Sequence, residues 1–184
     1  MKTHVVGMAI AVLCSAGAVF ADQPPSWSEF NVRSPNGHYL AEVRVKDKRA
    51  DTSLTEQTYV LTVFDARQGI RRHSLWSCEY EYDGYSDGLL SDDGSTFVYV
   101  NFWYAQDGPV VSIYRHGKKS GIVLGREFNI RARSTVSHQA WLDDSVSPNV
   151  RFVQAGTRPL ALEITTLDHK THLIDVESGK FVKP

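Results

Sequence analysis

The chain has 184 residues, 20 Lys and Arg against 21 Asp and Glu, a formal charge of −1 and 42% hydrophobic residues. No block of five or six like charges occurs, which excludes the basic footprint that a nucleic acid or an anionic membrane surface needs. Beyond the amino terminus no run approaches about 18 uncharged apolar residues, so no membrane span is expected.

The chain opens MKTHVVGMAIAVLCSAGAVFADQPP. Lys2 precedes an uncharged apolar run from about Val5 to Phe20, and Val19 and Ala21 place small residues at the −3 and −1 positions of a cleavage site. Residues 1–21 therefore read as a secretory signal peptide, with a mature start near Asp22 and a product exported to the periplasm or beyond the cell. Cys14 lies inside the run, but Leu13 before it is not the small residue of a lipoprotein signal. About 163 residues remain, enough for one domain with its own core. Cys78 is then the only cysteine, so no intrachain disulfide is expected, and its neighbours Trp76 and Tyr80 predict a buried, inert thiol. The lack of an Asn-x-Ser/Thr sequon agrees with a bacterial source.

Three stretches of the expected domain overlay one another: SPNGHYLAEV from Ser34, SDDGSTFVYV from Ser91 and SPNVRFVQA from Ser147, at intervals of 57 and 56 residues. Each opens with a turn-forming tetrapeptide and enters an apolar run; Pro fixes φ, and Asn, Asp and Gly accept the tight conformations that follow. The third copy has Val150 where the others have Gly37 and Gly94. A second motif follows each at a distance. YVLTVFDARQGIRRHSLW, VVSIYRHGKKSGIVLG and HLIDVESGKFV each read as a hairpin with a Gly-containing loop. Neither TFVYVNFWY nor YVLTVF alternates apolar with polar, which predicts strands covered on both sides, as when sheets stack. No sustained i, i+3, i+4 apolar stripe appears after the leader, so helices are not expected.

The expected fold class is all-β, with three tandem antiparallel propeller-like blade units near 28–84, 85–140 and 141–184; a β-sandwich using similar hairpins is the alternative. Ser34-Pro35-Asn36-Gly37 and Ser91-Asp92-Asp93-Gly94, with Phe64-Asp65 to Gly69 and Ile174-Asp175 to Gly179, resemble the repeats of TolB-type and prolyl-oligopeptidase-type β-propellers. The resemblance runs over most of the expected mature chain and implies a binding scaffold. In the prolyl-oligopeptidase group the propeller gates a separate hydrolase domain, for which this chain has no room. Three units cannot close a ring, so the resemblance leaves open an open stack or a homodimer that completes six.

Gly84-Tyr85-Ser86-Asp87-Gly88 spells G-x-S-x-G, but a nucleophile elbow needs a helix after the serine. Gly88 and the second turn motif at Ser91 exclude one, so Ser86 reads as a loop residue and no catalytic residue is assigned. Asp83, Asp87, Asp92 and Asp93 lack calcium-loop spacing, and His169 and His172 lie at an odd offset and read as surface residues, so no metal or other cofactor is expected. Asp143 and Asp144 read as a polar loop. The residues suited to contact a protein, peptide or glycan are the aromatics Tyr80, Tyr82, Tyr85, Trp103, Tyr104 and Trp141 with His138, since tyrosine and tryptophan combine apolar area with a polar handle. Packing between sheets is the competing use of the same rings. The expected function is a non-catalytic binding module. The alternatives are an exported glycosidase-like hydrolase using carboxylates such as Asp83, Asp87 or Asp93, and a structural subunit that folds fully only on dimerising.

Overall fold

A computed structural model describes residues 27–47, 53, 56–67, 73–135, 138–154 and 160–182. The expected signal peptide and Cys14 lie outside the described residues. The fold is all-β, built of four antiparallel sheets. The first is a meander of β1 (Phe30–Arg33), β2 (Tyr39–Val45), β3 (Tyr59–Asp65) and β4 (His73–Tyr80). The second is a meander of β5 (Leu89–Leu90), β6 (Thr96–Val100), β7 (Pro109–Arg115) and β8 (Lys118–Leu124). A 3-10 turn at Gly125–Phe128 and a two-stranded ribbon of β9 (Arg133–Ser134) and β10 (Gln139–Ala140) lead onward. The last meander holds β11 (Val150–Val153), β12 (Ala161–Thr165), β13 (Thr171–Asp175) and β14 (Lys180–Phe181).

The second sheet lies between the other two, and β6 shows it. Phe97 and Tyr99 pack with Leu61, Val63 and Tyr80 of the first sheet, whereas Val98 and Val100 pack with Leu162, Ile164 and Ile174 of the last. Alternate side chains of one strand point to opposite faces, so both faces are core and every residue of β6 is buried. Full burial of each such side chain contributes about 1.5–3 kcal/mol. The ring of Trp141, fully buried, closes the second core with Phe128, and its Nε1 donates to the Asn101 carbonyl at 2.8 Å.

The outer sheets differ from the expectation of two covered faces. In β3, Tyr59, Leu61 and Val63 are buried while Val60, Thr62 and Phe64 between them are half-buried. In β12, Leu162 and Ile164 are buried and Ala161, Glu163 and Thr165 are not. Each outer sheet has one neighbouring sheet, so one face keeps contact with solvent; the apolar run in β3 did not distinguish the two cases.

Two of the three tetrapeptides form the same turn. The Gly37 N–H donates to the Ser34 carbonyl at 2.8 Å, and the Gly94 N–H to the Ser91 carbonyl at 3.0 Å. In each, the serine hydroxyl donates to the third residue, Ser34 to Asn36 Oδ1 at 2.7 Å and Ser91 to Asp93 Oδ1 at 2.6 Å. The same serine oxygen accepts the N–H that starts the next strand, from Tyr39 and from Thr96, both at 3.0 Å. The two turns also bond to each other: the Asn36 N–H donates to Asp92 Oδ1 and Asn36 Nδ2 to the Asp92 carbonyl, both at 2.8 Å. The third copy does not match. Ser147 precedes β11, whereas the other two turns join the first and second strands of their sheets. Without the glycine at the fourth position the left-handed residue that ends this turn is missing.

Successive sheets dock in a repeated way. The β7–β8 turn brings Gly117 against the Ser77 carbonyl of β4, and the β13–β14 turn brings Gly179 against Gly121 of β8, Cα to the position of a Cβ at 3.0 Å. Each hairpin thus rests on the fourth strand of the sheet before it.

Gly37 and Gly94 separate backbone strain from crowding. Both have positive φ, +72° and +69°, but a Cβ at Gly37 meets open space, whereas one at Gly94 would lie 2.5 Å from Cδ1 of Tyr39. Urea denaturation is expected to show Gly37→Ala costing about 1 kcal/mol, from φ alone, and Gly94→Ala about 1–3 kcal/mol more.

Candidate functional site

The loops 81–88 and 101–108 leave β4 and β6 at the same end of the two sheets, and the β9–β10 ribbon folds against them. The Tyr104 N–H donates to the Gln139 carbonyl at 2.8 Å, which ties ribbon to loop. Asn101, just past β6, organises the second loop. Its Oδ1 accepts the Trp103 N–H at 2.9 Å, a side-chain-closed turn, and its N–H donates to the Val110 carbonyl at 2.9 Å.

This brings four rings together. Tyr85 meets Phe102 edge-on at 5.0 Å between centroids and Trp103 at 5.5 Å. His138 stacks on Trp103 at 5.8 Å with 5° between planes, and meets Phe102 edge-on at 5.6 Å. The Thr135 hydroxyl lies 3.1 Å from His138 Nδ1 and accepts the His138 N–H, so the ring's orientation is set from the ribbon. All four rings are half-buried. Trp103 Nε1 is buried with no hydrogen-bond partner among the described residues, an omission that costs about 1–3 kcal/mol. The indole meets the rings of Tyr85, Phe102 and His138, and its backbone N–H is held by Asn101.

Behind the rings lies Asp83. Tyr99 donates its hydroxyl to Asp83 Oδ2 at 2.7 Å and Asn101 Nδ2 approaches the same oxygen at 3.4 Å. Burial raises the Asp83 carboxyl above the ordinary range, against the lowering effect of the Tyr99 hydrogen bond. Burial, and the bond to Asp83, push the Tyr99 phenol strongly upward.

The other aromatics expected at a contact surface divide. Tyr80 and Trp141 are core residues, 5% and 0% exposed, so their rings are committed to packing between sheets. Tyr82 is half-buried within a cluster of Trp27, Phe30, Tyr59 and Tyr80, and its hydroxyl donates to the Ser28 carbonyl at 2.9 Å. Tyr104 stands apart, over a polar recess with Arg131, Arg133 and Gln139. Of the seven residues, Tyr85, Trp103 and His138 form one site.

The candidate acids are not brought together. Asp83 and Asp87 precede β5 and Asp92 and Asp93 follow it, so the pairs lie at opposite ends of that strand. Asp93 accepts the Ser95 N–H and closes its turn, Asp92 accepts the Asn36 N–H and joins two turns, and Asp87 accepts the N–H of the next residue, Gly88. The exposed Ser86 hydroxyl lies 2.9 Å from the Tyr82 hydroxyl and 3.3 Å from that of Ser28, and among the described residues no His, Asp, Glu or Lys side chain bonds to it. No helix follows it; β5 does. Among the described residues no group of three or more His, Cys, Asp or Glu is placed to hold a metal ion. Cys78 is a half-buried free thiol that burial pushes up to about 11.

Two expectations need correction. Asp143 is buried, with Oδ1 accepting the Ser145 N–H at 2.9 Å and hydroxyl at 2.6 Å, and Oδ2 lying 2.7 Å from His169 Nδ1. The Ser145 bonds first, then His169, lower its carboxyl. His172 is half-buried between Phe128 and Phe181, and burial lowers its imidazole. The His172 contact with Phe128 of the 3-10 turn and the Asp143 contact with His169 of the β12–β13 turn are long-range, and no local pattern encodes them. Among the described residues no helix is long and apolar enough to cross a membrane.

Compared with known proteins, the chain matches no protein-family model, no curated protein and no solved structure.

A buried carboxylate with a raised pKa contributes least stability once ionised. Protonated Asp83 is the form folding favours, so its penalty is absent below the ordinary carboxyl pKa and grows as pH rises through the folded-state value. Asp83→Asn keeps an oxygen for the Tyr99 hydroxyl and cannot ionise. Its thermal midpoint is expected to equal wild type near pH 3 and to exceed it at pH 7; a variant less stable at pH 7 contradicts the burial argument.

Proposed function

We propose that this chain is an exported, non-catalytic binding module that contacts a protein, peptide or glycan through the loop-end aromatic site of Tyr85, Phe102, Trp103 and His138. The observation that carries the reading is the gathering of four half-buried rings from three loop segments, where among the described residues no group of three or more His, Cys, Asp or Glu is placed to hold a metal ion. Stacked and edge-on rings offer adaptable apolar area, and such residues dominate interface energetics. Export rests on the amino-terminal sequence, where Lys2, the apolar run and Val19 with Ala21 carry the signal-peptide reading.

We read the scaffold as propeller-like, with three blades related to the TolB-type and prolyl-oligopeptidase-type repeats. The identical turns at Ser34 and Ser91 and the repeated docking of a glycine turn on the preceding fourth strand support this. The same repetition favours a second reading, a homodimer in which the last sheet of one copy meets the first sheet of its partner. Val60 and Phe64 on one outer face, and Ala161 and Leu173 on the other, offer the apolar area. Sedimentation as a clean monomer ends that second reading.

The test is capture from periplasmic extract with a cross-linker, comparing wild type with Trp103→Ala, and identification of the mature amino terminus. The expected result is a mature protein starting at Asp22, and a saturable partner lost at least about tenfold with Trp103→Ala, as for a truncated hot-spot aromatic. Equal capture by both, or none by either, overturns the role given to this site.

A further inference from the structure

The first strands of the three meanders face one another across a cleft of about 540 Å³. β1, β5 and β11 are each an edge of their sheet. Its apolar lining includes Val32, Leu89, Leu90, Val150, Phe152 and Leu160.

The register fixes which backbone groups look into it. In an antiparallel ladder, residues that bond across the pair alternate with residues whose N–H and C=O point away. The Ser34 N–H donates to the Tyr39 carbonyl, so Val32, two residues back, also bonds toward β2 and Arg33 turns outward. The Ser91 N–H donates to the Thr96 carbonyl, which turns Leu90 outward. The Thr165 N–H donates to the Asn149 carbonyl, which turns Val150 and Phe152 outward. Among the described residues, three edges with no strand paired on their outer side thus converge on one apolar cleft, where edges are ordinarily short, charged or covered.

Charge narrows the occupant. Arg33 is exposed at the cleft and takes part in none of the ion pairs among the described residues, while Arg151 is held by Glu163 at 2.6 Å. Asp92 stands at the rim with Oδ1 committed to the Asn36 N–H. Among the described residues this sets Arg33, in no ion pair, beside backbone donors and acceptors that no neighbouring strand takes up.

We infer that this cleft binds an extended peptide segment carrying an acidic residue, which adds as a strand to the β1 or β11 edge and sets its carboxylate on Arg33. Main-chain hydrogen bonds supply affinity in strand addition, and pockets for alternate side chains supply selectivity. Each four-residue edge spans about 13 Å, enough to pair with a short extended segment. The site is separate from the loop-end rings and does not depend on them.

The probe is a capped six-residue peptide alternating valine and threonine with one central glutamate, titrated into the mature protein and followed by amide NMR and calorimetry. Saturable binding is expected, with shifts and slowed exchange at the amides of Arg33, Leu90, Val150 and Phe152. The same peptide with alternate backbone nitrogens methylated is expected not to bind. Replacing its glutamate by lysine, or using Arg33→Ala, weakens binding about tenfold. Arg33 is exposed, so Arg33→Ala keeps the wild-type circular dichroism, and Trp103→Ala binds the peptide as wild type does. Absence of saturable binding at millimolar peptide, or binding indifferent to N-methylation and to Arg33→Ala, overturns the inference.

Discussion

The structure depends on a pair of central strands with no wetted face. β6 and most of β7 are covered on one side by the first meander and on the other by the last, and the side chains of β6 alternate between the two cores. Neither outer sheet could hold its inner face dry without the middle one. An isolated meander of this size would expose an apolar face, and small sheets of that kind are marginal. The three meanders therefore stabilise one another in series, as units of a repeat do when each contacts its neighbours alone.

That arrangement also explains where polar chemistry went. At one end of the stack, serine, asparagine and aspartate side chains close the tight turns and bond one turn to the next through Asn36 and Asp92. At the other end, the chain must cross between sheets in longer loops, and there the aromatics gather around Asn101 and Asp83. The carboxylates that resemble catalytic residues by composition are mostly spent on backbone geometry. Half-buried Asp83 is bonded to the Tyr99 phenol and approached by the Asn101 amide, contacts that hold its loop against the end of β6.

The all-β class was legible because turn chemistry and apolar runs are local signals. Ser34-Pro35-Asn36-Gly37 and Ser91-Asp92-Asp93-Gly94 spell their turns residue by residue. That no helix follows Ser86 was legible for the same reason, since glycines and a second turn come directly after it. What stayed hidden depends on tertiary neighbours. YVLTVF looks as apolar as TFVYV, yet only the second has sheets on both sides. Trp141 and Trp103 are both tryptophans near a loop; one is sealed under Phe128 and the other stands half-buried on His138. Asn101 carried a weak signal, an asparagine directly after an apolar strand, and Asp143 carried one for its turn with Ser145 but none for its contact with His169. Open edges are likewise invisible in sequence, because an edge is defined by the strand that is not beside it.

Native-state hydrogen exchange tests the central claim most directly. The account predicts that amides of Phe97 to Val100 and of Val111 to Ile113 exchange only through global unfolding, with the largest protection in the protein, while the solvent-side amides of β1 and β11 exchange far faster. Middle-sheet amides that exchange through a lower-energy opening, with an outer sheet still protected, would contradict it.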